Sequence, residues 1–165
     1  VIVEDAYFRQ NSQGALDAGL QVGVYFFSQA INVWEAEEEA AYVLDAIQGY
    51  DVTFLVVFDW ERIHNAEART DELSADALTR CAGAFCDVVA QAGYLPVIYF
   101  NQDQGYLTYD LPKLQDYTFW LAEYRSAPTF HYHFDLWQYS CTGSVPGIQG
   151  NVDLNLSFVD FGALG

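Results

Sequence analysis

Three short apolar runs constrain this chain more than any other feature: LQVGVYFF at 20–27, VTFLVVFDWE at 52–61 and YLPVIYF at 94–100. Each is rich in β-branched and aromatic residues and reads as a buried strand. Between them the apolar spacing changes to that of a helix. Residues 34–48 place Ala40, Val43, Leu44 and Ile47 on one face, with Glu35, Glu37, Glu38 and Glu39 at a solvated start, where the positive helix end favours acids. Residues 75–92 carry Leu78, Cys81, Ala82, Phe85, Val88 and Val89 as one stripe, closed by Gly93. An earlier helix is expected over 4–18, ending at Gly19. Strand, helix, strand, helix, strand is the pattern of a parallel sheet covered on both faces. Further strands are expected at 117–124, 135–140 and 152–157, with turn chemistry across 142–151. No repeat, linker or low-complexity tract interrupts the chain, so residues 1–165 form one α/β domain. Periodicity alone does not separate an open sheet from a barrel.

Composition removes several classes of function. Six Lys and Arg against 23 Asp and Glu leave a formal charge of −17. The basic residues are scattered, and a phosphate-backbone binder needs them clustered. Nucleic acid and anionic membrane surfaces are therefore excluded as partners. No apolar run approaches the ~18 residues of a membrane-spanning helix. Of the three cysteines, Cys81 and Cys86 lie five apart on one helix, an axial rise of about 7.5 Å that exceeds the ~6.8 Å reach of a disulfide. All three read as buried or half-buried free thiols rather than as a nucleophile paired with histidine. His64, His131 and His133 have no metal-ligand spacing and read as surface or loop residues, so no metal site is expected.

Chemistry in parallel α/β folds gathers where strands end at their carboxyl side. Asp59 and Glu61 end the most apolar run, two residues apart. In extended chain both project to the same side, about 6.6 Å apart, with Trp60 opposite. Carboxyls that close repel, and one is pushed up in pKa. A protonated acid beside an ionised one is what glycosidic cleavage requires, although a pair of solvated loop acids has the same pattern. Tyr25, Tyr99, Trp120, Trp137 and Tyr139 lie in or at the ends of strands, as stacking platforms for sugar rings or as core. Asp153 stands in an otherwise apolar strand, where it serves either a site or a structural hydrogen bond.

The ordered segments AGLQVGVYFFSQA, EAEEEAAYVL, VVFDWE, AGYLPVIYFN, YTFWLAEY and LWQYSCTGSVPGIQGNVDLN resemble glycoside hydrolase family 25, the bacterial and phage muramidases, over essentially the whole chain. The closing segment is the most specific. The resemblance implies a modified parallel, TIM-like β/α barrel that hydrolyses the β-1,4 bond between N-acetylmuramic acid and N-acetylglucosamine. It implies that Glu61 is the general acid and Asp59 its assisting neighbour. Asp153, Tyr25, Tyr99, Trp137 and Gln138 then fall at substrate-binding positions. Family members also carry a D-x-S-type motif on a first strand. Glu4, Asp5 and Asp17 fall in the expected first helix and do not match it, so the barrel is expected to be N-terminally incomplete in this chain. That departure keeps a second reading open, a non-catalytic peptidoglycan-binding remnant. A chitinase-like barrel fits less well, because Thr53 to Phe58 are all uncharged. The resemblance further implies no cofactor, a peptidoglycan glycan strand as partner, a monomer, and an extracellular or cell-wall site of action.

Overall fold

The structure, a computed structural model, describes residues 2–64 and 68–161. Elements follow in the order α1 (Phe8–Asp17), β1 (Val24–Phe27), α2 (Val33–Ala46), β2 (Leu55–Asp59), α3 (Ala75–Gln91), β3 (Leu95–Asn101), α4 (Gln102–Leu107), β4 (Thr118–Ala122), β5 (Leu136–Gly143) and β6 (Val152–Ser157). A short 3₁₀ turn spans Leu111–Leu114. The six strands form one sheet in sequence order, β1-β2-β3-β4-β5-β6. The expected α/β class holds. The first four pairings are parallel. β6, however, pairs antiparallel with β5, so the sheet is mixed rather than wholly parallel. The stretch between Gly143 and Val152 is too short for the crossover of a dozen or more residues that a parallel neighbour needs. It turns back directly, with Gly147 and Gly150 at φ of 92° and 100°.

The sheet separates two apolar layers. On one face α2 and α3 pack Ala36, Ala40, Val43, Leu78, Cys81, Ala82, Phe85 and Val89 against Val56, Phe58, Trp60, Ile98, Phe100, Phe119 and Leu121. The other face holds a smaller cluster, Leu55, Val57, Val97 and Leu136, edged by Tyr99 and Trp120. No helix among the described residues covers this second face, which leaves room for a site.

Local chemistry explains where the elements differ from expectation. α1 starts at Phe8 rather than at residue 4, because the Asp5 carboxylate accepts from the Tyr7 backbone N–H at 2.8 Å and turns the chain first. β1 starts at Val24, after Gly23, where a Cβ would stand 2.8 Å from the Leu55 carbonyl oxygen. The α2 and α3 N-termini are capped by Asn32 and Ser74. Glu39 departs from the expected solvated start of α2. It is buried, accepts from Ser28 Oγ at 2.6 Å and from the Gln29 N–H at 2.9 Å, and so ties the end of β1 to α2. Its carboxyl is pushed up by burial, against the pull of those two hydrogen bonds. The Asp-, Gly- and Tyr-rich loop after β3 contains the short helix α4, opened by a reciprocal cap between Asn101 and Gln104. Cys81 and Cys86 are buried free thiols, whereas Cys141 is exposed. No helix among the described residues is long and apolar enough to cross a membrane.

Candidate active site

β2 supplies the acid pair. Its five residues are all buried, and its side chains alternate between the two faces. Phe58 and Trp60 enter the helix-side core, so Asp59 turns to the uncovered face. Asp59 is only 8% exposed, and its Oδ1 is buried without a hydrogen-bond partner. Desolvation, then the nearby charge of Glu61, pushes its carboxyl up to about 7. Glu61, the general acid that the resemblance implies, is exposed just beyond the strand. Burial therefore falls on the other member of the pair.

The neighbouring strands add a polar row. Tyr99 pairs in register with Asp59 across β2 and β3. Its hydroxyl donates to Gln138 Oε1 at 2.7 Å, and the Tyr124 hydroxyl donates to the same oxygen at 2.8 Å. Burial and the bond to Tyr124 push the Tyr99 hydroxyl well up, with smaller contributions from Glu61 and Asp59. Gln138 is 4% exposed and lies in register with Ala122, which in turn pairs with Asn101.

Tyr25 projects from the edge strand β1 and is 70% exposed. Its hydroxyl is raised by partial desolvation and then by the charges of Asp59, Asp5, Asp153 and Glu61, in that order. Those four carboxylates are thus within electrostatic reach of one phenol. Asp153 stands exposed on β6, and its charge reaches Tyr124 as well. The structure therefore brings Asp59, Glu61, Tyr25, Tyr99, Gln138 and Asp153 to one face. Trp137 is not among them. Alternation along β5 turns it away from Gln138, its indole is buried, and its Nε1 donates to the Glu123 carbonyl at 2.8 Å. Trp120 edges the face, donating to Asn155 Oδ1 at 2.9 Å and meeting Tyr99 edge-on.

Two neighbours escape the sequence reading. Asp5 precedes α1 instead of lying within it, and lines a cavity of about 950 Å³ beside β1 together with Tyr25, Phe8 and Glu39. Tyr124 follows β4 and reaches Gln138 across the sheet, a pairing that has no local signal. His64, His131 and His133 are exposed, and His133 pairs with Asp135 at 2.9 Å. Among the described residues no group of three or more His, Cys, Asp or Glu is placed to hold a metal ion. What the face does offer is a protonatable buried carboxyl, an exposed one beside it, and aromatic walls. That combination suits acid-assisted cleavage of an acetal.

Comparison with known proteins agrees. The model of Glycosyl hydrolases family 25 matches residues 1–148, a span that holds every residue above except Asp153 and those after it. An autolytic lysozyme of Clostridium acetobutylicum is 28% identical over 152 residues, covering 92% of this chain and 44% of that protein. The uncharacterised protein YegX of Escherichia coli K12 is 29% identical over 156 residues, covering 92% and 53%. The chain thus spans about half the length of these curated relatives. Among solved structures, the modular autolysin LytC of Streptococcus pneumoniae superposes with a TM-score of 0.81 at 23% identity, over 93% of this chain and 37% of that one. The bacterial lysozyme of Streptomyces coelicolor superposes with a TM-score of 0.73 at 22% identity, over 99% and 79%. From the match across most of its length, this chain belongs to glycosyl hydrolases family 25.

Proposed function

We propose that the chain is a muramidase domain that cleaves the β-1,4 bond between N-acetylmuramic acid and N-acetylglucosamine in peptidoglycan. The observation that carries this reading is the acid pair: a buried Asp59 carboxyl raised to about 7, two residues before an exposed Glu61. Family membership and the lysozyme relative from C. acetobutylicum support the choice of substrate. Below about pH 7 the buried Asp59 carboxyl holds a proton. Glu61, at the open side, delivers it to the leaving glycosidic oxygen as the C–O bond breaks. The negative charge left on Asp59 then faces the oxocarbenium-like centre, until water adds and returns a proton to the pair. Tyr25, Tyr99, Gln138 and Asp153 bind the glycan strand. No cofactor enters this chemistry, because two carboxyls and water suffice. The place of action is the bacterial cell wall, and the domain works as a monomer.

The sheet itself is read as an arc of a TIM-like barrel. Five strands run parallel, two helices pack on the outer face, and β1 has a neighbour on one side only.

Mass spectrometry of the soluble products from purified peptidoglycan tests the function. Fragments with N-acetylmuramic acid at the reducing end are expected from the native chain. Glu61→Gln is expected to abolish them without loss of fold. Activity retained in that variant would remove Glu61 from its role, and pelleting with the wall without any product would mark a binding domain instead.

A further inference from the structure

Asp59 has little of its own to aim it. Its buried Oδ1 meets no hydrogen-bond partner among the described residues, and only burial and the charge of Glu61 act on its titration. The direction of the carboxyl therefore follows from its backbone. β2 ends at Asp59, whose carbonyl oxygen accepts from the Ser28 N–H at 2.7 Å. Ser28 comes one residue after the end of β1, so this bond depends on what fixes Ser28.

Ser28 is fixed from α2. It is fully buried, and its Oγ donates to Glu39 Oε2 at 2.6 Å while accepting from the Ala30 N–H at 3.3 Å. Glu39 Oε1 accepts from the Gln29 N–H at 2.9 Å. One carboxylate thus grips two consecutive residues of the turn that leaves β1. Burying a carboxyl is costly unless it is hydrogen-bonded, and this one commits both oxygens to the turn beside Asp59. Its charge is not among the causes that act on Asp59, so its influence travels through the backbone rather than through the field.

We propose that Glu39 is a positioning residue for Asp59, acting through Ser28 to keep that carboxyl desolvated and aimed at the bond to be cleaved. The catalytic consequence rests on the muramidase reading, whereas the effect on Asp59 does not. The groups facing Asp59 are Glu61 beyond β2, Tyr25 on β1, Tyr99 on β3 and Tyr109 after α4, and the three phenols are all raised, so they stay neutral while Asp59 titrates. Those facing Glu39 are Glu35 on its own helix, Arg69 in the loop after β2 and Cys81 on α3.

The test follows the Asp59 carboxyl by carbon-13 NMR titration in the native chain, Glu39→Ala, Glu39→Gln and Ser28→Ala. The kcat and KM of each are measured on soluble glycan strands of peptidoglycan, and amide spectra report whether each is folded. In Glu39→Ala the turn loosens and water reaches Asp59, so its acid dissociation constant is expected to rise roughly tenfold or more. Its kcat is expected to fall about 100-fold, the scale of a 1 Å misplacement, with KM held within about twofold. Glu39→Gln keeps both contacts, its oxygen accepting from Gln29 and its NH2 donating to Ser28 Oγ, and is expected to restore the titration and most of kcat. Ser28→Ala cuts only the side-chain bond and is expected to move both quantities the same way but less, which carries the test if Glu39→Ala does not fold. An Asp59 titration unmoved in the folded Ala variants overturns the proposal. So does a loss in Glu39→Gln equal to that in Glu39→Ala, which would mark a role for the charge. A native chain without turnover removes the muramidase reading, and the titration still decides whether Glu39 sets Asp59.

Discussion

Asp59 is costly to the fold in the state that chemistry at neutral pH requires. Its raised carboxyl means that the folded chain resists ionising it, while the unfolded chain ionises it near the ordinary value. The penalty is absent below that ordinary value, grows as pH rises, and is complete above about pH 7. Asp59→Asn removes it. Thermal or denaturant unfolding is expected to show the variant more stable than the native chain by up to about 4 kcal/mol at pH 8, shrinking to about 1 kcal/mol at pH 4.5. The same variant is expected to lose most hydrolysis. Equal stability at both pH values would mean that the carboxyl is hydrated or paired in solution. Glu39, also buried and raised, differs in kind, because Ser28 and Gln29 hydrogen-bond its ionised form.

At the scale of elements, α4 is small but holds the acid pair in place. Gln104 caps it by accepting from the Asn101 N–H at 2.7 Å, and its Nε2 donates to the Trp60 carbonyl at 2.6 Å. Trp60 lies between the two acids, so the loop that aims Glu61 is tied to the start of α4. Gln104→Ala leaves a buried carbonyl unpaired, and an equilibrium unfolding curve is expected to show a loss of about 1–3 kcal/mol. Hydrolysis is expected to fall further than stability alone explains, read as kcat at a temperature where both proteins are folded. Periodicity reveals α2, α3 and β2 because each has a long apolar pattern of a single period. It misses α4, whose six residues include Gly105, although the Asn101-x-x-Gln104 spacing is itself a capping signature. The direction of β6 was also within reach, since the turn before it is too short for a crossover. The partnership of Tyr124 with Gln138 and the inward turn of Glu39 were not. Both depend on residues brought together from separate elements, and nothing in the neighbouring sequence encodes them. Trp137 shows the converse. Its aromatic character suggested a sugar platform, and alternation in β5 turned it into structural support.

The whole molecule carries a formal charge of −17, and several of its carboxylates stand around the proposed cleft. An anionic polymer approaches such a face against its field. Salt at about 0.15 M screens charges beyond about 8 Å, so turnover of cell walls is expected to rise from low to moderate ionic strength, followed as clearance of a wall suspension. A steady fall from the lowest salt onward would place a cationic feature at the encounter surface.

The order of the strands in the sheet is the order of the strands in the chain. Each new strand therefore finds its partner already made, immediately before it in sequence. Nothing synthesised later needs to be inserted between two strands that have already paired. Assembly can proceed by addition at one growing edge as the polypeptide leaves the ribosome, with loop closures limited to the length of a single crossover. A fold built this way reaches its acid pair early, because β2 needs only β1 and β3 beside it. The polar row that Gln138 and Asp153 contribute is the last part to arrive.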